Sequence, residues 1–236
     1  MRQVLLGIGV GPGDPDLVTV GAIRALKEAD LVLLPLAKEG AESVAGNIVK
    51  RHLSREWTPV VFPMKGREDE RDPAIRRQIE ALRSLWEEAE TIAIPVIGDA
   101  TLYSTVAWLY RQWRTVAPAM ELRLIPGISA HSLAAARVAR FLAMGEERLS
   151  ILPGTASYDD LVQSLMASDA AALYKLSPLG DTLPRLLAET GPWGSVTRID
   201  RAGWSSENIV TGFDATSPCA SYLSILLLHR REGTLP

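Results

Sequence analysis

The sequence is poor in cysteine and carries almost no net charge, and both shortages exclude classes of protein. Cys219 is the only cysteine among 236 residues, so one chain can form neither a disulfide framework nor a cysteine-based zinc site. This favours a reducing, cytoplasmic setting. The 25 Lys and Arg and the 28 Asp and Glu leave a net charge of −3, whereas a general nucleic-acid binder carries a basic excess. We therefore expect no nucleic-acid partner.

Long apolar runs are missing as well. No stretch approaches the ~18 uninterrupted apolar residues of a membrane-spanning helix, so we expect no membrane association. The chain starts with a strand-like run, Val4–Ile8, and shows no signal-peptide features.

Hydrophobic residues still make up 47% of the chain, which is enough for a substantial core. The length of 236 residues fits one large or two small domains.

Short apolar runs alternate with helical patterns through the first half of the chain. Asp14 and Pro15 predict the N-cap and first position of a helix whose buried face runs to Leu26. Asp72 predicts the start of a longer helix, and residues 101–113 the next one. This alternation is typical of βαβ units with a mainly parallel sheet, where ligands lie at the carboxyl ends of the strands.

A change in composition over residues 114–120, with Pro118 inside it, predicts a domain boundary. We expect an N-terminal α/β domain over 1–117 and a C-terminal one over 118–236, the latter opening with a strand at 121–125. Near the end, strand-like runs follow one another without helices between them. That pattern predicts hairpin pairing and a mixed second sheet.

A glycine-rich loop, Gly7–Asp14, lies between the first strand and the first helix. The dinucleotide fingerprint G-x-G-x-x-G fails there, because its last glycine would fall on Pro12 or Asp14. Proline removes a backbone donor and the carboxylate repels phosphate, so a nicotinamide dehydrogenase is disfavoured. The loop allows close approach to a ligand without phosphate, or is simply a tight turn.

Four more segments follow predicted strands: residues 98–105, 126–130, 174–176 and 201–204. Each could be an ordinary capped loop, but their shared position after strands favours a common ligand site. In the first of them, Asp99 offers a carboxylate, Tyr103 an aromatic ring with a polar tip, and Thr101 a helix cap.

The histidines are isolated. His52, His131 and His229 form no pair at metal-binding spacing, so we expect no metal site in the protein. His131 follows the loop at 126–130 by one residue, and its place in a predicted helix favours a structural role over a chemical one.

Taken in order, these segments resemble the tetrapyrrole methylase family, the S-adenosylmethionine enzymes of corrin and sirohaem synthesis. Gly7–Asp14 matches the family's G-x-G-x-G-P-G-D loop, Gly98–Tyr103 its G-D-P-x-x-Y loop, and Pro126–Ser129 its P-G-I-S loop. Three further segments resemble the precorrin-2 C-20 methyltransferases and their cobalt-factor II counterparts: Glu42–Ala45, Val61–Met64 and Leu102–Thr105. Ala100 replaces the family's proline, and His131 stands where this branch has an apolar or aromatic residue.

The resemblance implies two α/β domains, the first with a mainly parallel and the second with a mixed sheet, and a cofactor cleft between them. It implies methyl transfer from S-adenosylmethionine to C-20 of precorrin-2 or cobalt-factor II in cobalamin (vitamin B12) biosynthesis, by a cytoplasmic homodimer. Carried over position by position, the cofactor-binding residues are Pro12, Gly98, Asp99, Ala100, Tyr103, Ser104, Thr105, Ser129, Ala130, Leu176, Ala202 and Gly203.

The resemblance does not identify a catalytic base. Asp99, Tyr103 and Glu207 are candidates by position only. A polycarboxylate substrate requires Arg or Lys partners, for which Arg137 and Arg140 are candidates, although both also fit a solvated helix surface. Two alternatives stay open: methylation of another corrin or porphyrin intermediate, such as uroporphyrinogen III, and a relative that binds a tetrapyrrole without catalysis.

Overall fold

The computed structural model describes residues 3–36, 38–62, 67–218 and 223–231. Cys219 and the Pro63-Met64 part of one sequence match lie outside the described residues. The described strands are β1 Val4–Gly9, β2 Leu31–Leu36, β3 Thr58–Val61, β4 Thr91–Val96, β5 Glu121–Ile125, β6 Leu149–Pro153, β7 Ala170–Tyr174, β8 Ser195–Asp200, β9 Asn208–Thr211 and β10 Ser224–His229. The described α-helices are α1 Val20–Glu28, α2 Val44–Val49, α3 Glu68–Ala81, α4 Arg83–Trp86, α5 Thr105–Val116, α6 Ala130–Arg137, α7 Tyr158–Met166 and α8 Thr182–Thr190.

The first compact unit, Met1–Ser129, contains one five-stranded sheet in the order β3-β2-β4-β1-β5. Every neighbouring pair is parallel, which confirms the predicted parallel sheet. The central strands β1 and β4 are buried along almost their whole length, as expected where helices cover both faces of a sheet.

Two separate apolar clusters lie on the two faces of this sheet. On one face, Leu5 and Ile94 pack with α3, α4 and α5, where the rings of Trp86 and Trp113 meet edge to face at 5.6 Å. On the other face, Ile8 and neighbouring side chains pack with α1 and α2. These two tryptophans therefore fill the core of the unit.

The second unit, Ala130–Pro236, holds a mixed five-stranded sheet in the order β6-β7-β10-β8-β9. The β6 and β7 strands are parallel, and the other neighbouring pairs are antiparallel, which confirms the predicted mixed sheet. Leu226 and Leu228 of β10 point to one face, where they pack with α7 and α8. The α6 helix also contacts β10.

The predicted domain boundary between residues 117 and 118 is too early. The structure divides the chain after Ser129, because β5 pairs in parallel with β1 as the edge strand of the first sheet. The predicted strand at 121–125 exists, but it does not open the second unit. Residues 114–116 form the end of α5, and residues 117–120, with Pro118, connect it to β5.

Two predicted helix starts are also wrong. Asp14 and Pro15 open a short 3-10 turn, and α1 begins later, at Val20, after its N-cap Thr19. Val20, expected on the buried face, is 75% exposed. The helix predicted to start at Asp72 is α3, which begins at Glu68. Its acidic first turn therefore precedes Pro73. Acidic residues in a first turn stabilise the helix through its dipole.

None of the described helices is long and apolar enough to cross a membrane.

His229, near the end of β10, generates a prediction about stability and pH. Its ring is buried and its Nε2 pairs with the Phe141 carbonyl oxygen at 3.0 Å. Burial, and secondly the Arg140 guanidinium, lowers the pKa of His229 below its ordinary value of 6.5. The unfolded chain therefore takes up a proton at a higher pH than the folded chain does, and the free energy of unfolding falls as the pH drops below about 6.5.

We expect His229→Gln to remove this pH dependence, because glutamine can donate to Phe141 but does not titrate. Urea unfolding at about pH 7.5 and about pH 5.5 measures the effect. The wild-type chain should lose more unfolding free energy than the variant between the two values. An equal loss in both would contradict the assignment to His229.

Candidate functional site

Three of the predicted loops meet at one edge of the first sheet. They follow β1, β4 and β5, which are adjacent parallel strands, so their carboxyl ends lie side by side. The Gly11 N–H donates to the Gly98 carbonyl at 3.2 Å, and the Gly98 N–H donates back to the Gly11 carbonyl at 2.7 Å. Segments about 90 residues apart in the printed sequence are thus joined through their backbones.

Glycine is required where the third loop joins the other two. A Cβ on Gly127 would lie 2.3 Å from the Gly98 carbonyl oxygen and 2.7 Å from the carbonyl carbon of Gly9. A Cβ on Gly9 would lie 2.7 Å from the Gly127 nitrogen and 2.8 Å from the Ala100 nitrogen. Because every one of these atoms belongs to backbone, no side-chain rotation can make room. We call Gly9, Gly98 and Gly127 the glycine junction.

Gly98 differs from its two partners in having an open side. Its φ of +74° lies in the region that favours glycine, and a Cβ there would meet no atom within 4 Å. The next residue braces the turn, since the Asp99 carboxylate accepts from the Thr101 N–H at 2.9 Å. A small ligand could therefore approach the Gly98 backbone directly.

The α5 helix begins later than the sequence predicts. Its N-cap is Ser104, whose hydroxyl accepts from the Val106 N–H at 3.2 Å, and not Thr101. The three residues from Thr101 to Tyr103 form a turn instead of a helix, and Tyr103 has a φ of +49°. Partial burial raises the pKa of the Tyr103 phenol above its ordinary value of 10, so it is protonated at neutral pH. It can donate a hydrogen bond there.

Pro12 is buried beside Gly11, and the following Asp14 is directed at the 3-10 turn, where its carboxylate accepts from the Asp16 N–H at 3.0 Å. A carboxylate in this position disfavours phosphate at the start of the turn.

The first unit also has a cavity of about 880 Å³ at the carboxyl ends of β2 and β3. Glu42 and Ser43 of the Glu42–Ala45 segment form part of its wall. Ser43 caps α2, and Glu42 accepts from the Asn47 side-chain amide at 2.7 Å. Among the residues that the structure describes, the charged members of the lining are Glu39, Glu42 and Lys50.

In the second unit, the predicted segments follow β7 and β8. Lys175 and Arg201, directly after these strands, have φ values of +55° and +53°. Left-handed backbone at non-glycine residues is uncommon and concentrates at functional sites. The next residues, Leu176 and Ala202, are buried. Lysine and arginine give no hint of this conformation, so it could not be predicted from residue type.

The segment after β8 is held by charged side chains. One oxygen of Glu207, Oε2, accepts from the Gly203 N–H at 2.6 Å and from Arg137 Nε at 3.2 Å. Asp200, the last residue of β8, accepts from the Ser224 hydroxyl at 2.6 Å and pairs with buried Arg198 at 3.3 Å. Sequence position had made Glu207 a candidate base, whereas its contacts are those of a loop support.

His131 is buried at the start of α6 and contacts the end of β7. The Tyr174 hydroxyl lies 3.2 Å from the His131 backbone nitrogen, which donates to it, and 2.7 Å from the ring Nδ1. The two rings meet nearly edge to face. The position where the sequence departs from the resembled branch thus has a specific partner next to Lys175.

Gly154 was also missed. Its N–H donates to the Tyr174 carbonyl at 2.6 Å, and a Cβ on it would lie 2.6 Å from the Lys175 carbonyl oxygen. The signal is a Pro-Gly pair after a strand, as at Pro126-Gly127.

Within the described ranges, no three or more His, Cys, Asp or Glu side chains are grouped to hold a metal ion.

The geometry can be compared with known proteins. Residues 4–215 match the family model of the Tetrapyrrole (Corrin/Porphyrin) Methylases. The cobalt-precorrin-2 C(20)-methyltransferase of Salmonella typhimurium is 31% identical over 81% of this chain and 80% of that protein. The precorrin-2 C(20)-methyltransferase of a Sinorhizobium species is 29% identical over 95% of this chain and 94% of its own length.

The chain spans about half of another relative. The cobalamin biosynthesis protein CobIJ of Mycobacterium tuberculosis is 28% identical over 99% of this chain, which covers 48% of that protein. Among solved structures, the uroporphyrin-III C-methyltransferase of Thermus thermophilus in complex with S-adenosylhomocysteine has a TM-score of 0.68 at 18% identity. That match covers 96% of this chain and 97% of the other. At this identity, the likeness concerns the fold.

The glycine junction generates a prediction about stability. Gly127→Ala should lower the free energy of unfolding by about 2 kcal/mol or more, because its Cβ overlaps backbone atoms of two other loops. Gly21→Ala is the matched control: Gly21 is exposed in α1, and its Cβ would approach no atom closer than 3.8 Å. It should stabilise the chain by about 0.5 kcal/mol. Urea unfolding measures both, and equal effects would refute the backbone packing.

Proposed function

The chain belongs to the tetrapyrrole (corrin/porphyrin) methylases, and we propose that it transfers a methyl group from S-adenosylmethionine to C-20 of precorrin-2 or cobalt-factor II in cobalamin biosynthesis. The observation that carries the ring position is the similarity, over most of both chains, to two relatives whose names specify C(20). Any cobalt belongs to the substrate. A homodimer and a cytoplasmic location stay predictions.

The glycine junction is compatible with this cofactor. Gly98 presents open backbone, and Asp14 faces the turn where a dinucleotide-binding loop would place phosphate. S-adenosylmethionine has no phosphate and carries a sulfonium cation, so the acidic neighbours Asp14 and Asp99 favour it electrostatically. Leu176 and Ala202 are carried over from the resemblance as the adenine side of the site, and because their side chains are buried they are assigned contact through backbone groups.

We assign cofactor contact to the residues carried over from the resemblance. In the first unit these are Pro12, Gly98, Asp99, Ala100, Tyr103, Ser104, Thr105 and Ser129, and in the second unit Ala130, Leu176, Ala202 and Gly203. Ser104 contributes through its backbone, since its hydroxyl caps α5. In this assignment, backbone groups make most of the contacts with the cofactor, and few side chains take part.

The cofactor, when bound, supplies a methyl group already activated by its positive sulfur. The chain then has to align the acceptor carbon and exclude water. Among the candidates for taking up the substrate's proton, Asp99 has the carboxylate that could accept it. The Tyr103 phenol, whose pKa is raised by burial, instead donates a hydrogen bond at neutral pH. We therefore favour Asp99 over Tyr103 as the acceptor.

An alternative within the family is methylation of another corrin or porphyrin intermediate. The buried His131, paired with Tyr174, favours it, because it stands where the C-20 branch has an apolar or aromatic residue. The assay below separates the two substrates.

Incubation with methyl-labelled S-adenosylmethionine and either precorrin-2 or cobalt-factor II should give a product with one added methyl group. Carbon NMR of the product should locate the label at C-20. A label on another ring carbon, or transfer only to a different intermediate such as uroporphyrinogen III, would support the alternative. Cofactor binding without transfer to any intermediate would indicate a non-catalytic relative.

Gly98→Ala should weaken binding of S-adenosylhomocysteine about tenfold or more, because the new methyl group occupies the open side of the glycine junction. Gly145→Ala is the matched control, with a φ of +56° and equally open surroundings. Both substitutions strain the backbone by about 1 kcal/mol. Calorimetric titration should show weaker binding only for Gly98→Ala, and an equal change in both would contradict the assignment.

A further inference from the structure

The segment after β8 returns on itself so that its far end supports its beginning. The Trp204 N–H donates to the Arg201 carbonyl at 3.1 Å, and the Glu207 N–H donates to the Trp204 carbonyl at 2.9 Å. These two turns bring Glu207 back to Gly203, whose N–H donates to its carboxylate at 2.6 Å. The orientation of the Gly203 amide therefore depends on a side chain four residues ahead.

The same carboxylate connects the segment to α6. Arg137, in the last turn of that helix, donates from Nε to Glu207 Oε2 at 3.2 Å. The Glu207 side chain is 21% exposed, so this ion pair is only partly screened by water. One oxygen thus accepts a backbone amide and a guanidinium together, and both are charge-assisted hydrogen bonds.

The other end of α6 is fixed in a similar way. His131 contacts the Tyr174 hydroxyl with both its backbone nitrogen and its ring nitrogen. Tyr174 is the last residue of β7, two positions before Leu176. Residues of one helix, two turns long, thus contact the last residue of β7 and the segment after β8. The proposed function assigns cofactor contact to Leu176, just after β7, and to the segment after β8.

We propose that Glu207 is a positioning residue that orients the Gly203 amide for the cofactor, with Arg137 of α6 holding its carboxylate in place. The proposal rests on the proposed function, because it takes S-adenosylmethionine as the ligand of that segment. It assigns no proton transfer to Glu207, since the carboxylate oxygen nearest the segment already accepts two hydrogen bonds. His131 and Tyr174 connect the start of α6 to the end of β7.

Four variants separate positioning from catalysis. Glu207→Ala removes both hydrogen bonds, Glu207→Gln keeps an acceptor for Gly203 but loses the charge that faces Arg137, and Arg137→Ala removes only the partner. Glu189→Ala is the matched control, since Glu189 of α8 accepts from the Tyr158 hydroxyl at 2.8 Å and lies outside these segments. Calorimetry with S-adenosylhomocysteine, kcat and KM for methyl transfer, and amide hydrogen exchange of residues 201–208 are measured on each.

Glu207→Ala should raise the Kd about tenfold and speed exchange at residues 201–208, because the Gly203 amide loses its acceptor. Arg137→Ala and Glu207→Gln should raise the Kd about threefold, with kcat nearly unchanged. The effects of Glu207→Ala and Arg137→Ala should not add in the double variant, because both act through one contact. Glu189→Ala should bind and exchange as the wild-type chain does.

Two results would overturn the proposal while leaving the proposed function intact. One is wild-type affinity in Glu207→Ala with unchanged exchange at residues 201–208. The other is a Glu207→Gln variant that binds normally but loses kcat about a hundredfold together with the acid limb of its pH profile, as expected for a proton acceptor. If Glu207→Ala does not fold, Glu207→Gln and Arg137→Ala decide by the same criteria. A wild-type chain that does not bind S-adenosylhomocysteine would overturn the proposed function and this inference together.

Discussion

The close contact of Gly9, Gly98 and Gly127 is the constraint on which the first unit depends. Adjacent parallel strands lie about 4.8 Å apart, so the loops that leave them at the same edge compete for the same space. Here the three loops approach so closely that side chains do not fit between them. A Cβ on Gly127 would lie 2.3 Å from the Gly98 carbonyl oxygen. The open face of Gly98 follows from this arrangement, because a loop pinned by its neighbours on one side can remain bare on the other.

The second unit solves the same problem with side chains. Its sheet is mixed, so the segments after β7 and β8 are separated by β10 and cannot brace each other backbone to backbone. The connections in this unit are made by side chains instead of close backbone contacts. Glu207 pairs with Arg137, and His131 contacts Tyr174. Left-handed backbone at Lys175 and Arg201 is tolerated because surrounding contacts fix it.

Three features could be predicted from the motifs and their order along the chain. They are the parallel first sheet, the mixed second sheet and the meeting of three loops. These features follow from local pattern and from a general rule about parallel strands. The boundary was not predictable in the same way, because the half-exposed β5 could join either sheet, and only its pairing with β1 decides. The roles of Glu207 and His131 depend on partners 70 and 43 residues away, which local pattern does not encode.

Recognition by backbone has a consequence for specificity. A carbonyl is present in every residue and an N–H in every residue except proline, so Ala100 in place of proline keeps the carbonyl and adds a donor. In the proposed function, ring position is then selected by side chains. Glu42 and Ser43 of the Glu42–Ala45 motif line the cavity of the first unit. Ser43 caps α2 and Glu42 accepts from Asn47 in its first turn, which fixes the shape of this part of the wall. Under the proposed function, a cofactor side held by backbone groups can stay constant, which leaves selection of the acceptor to the shape of the site and to side chains.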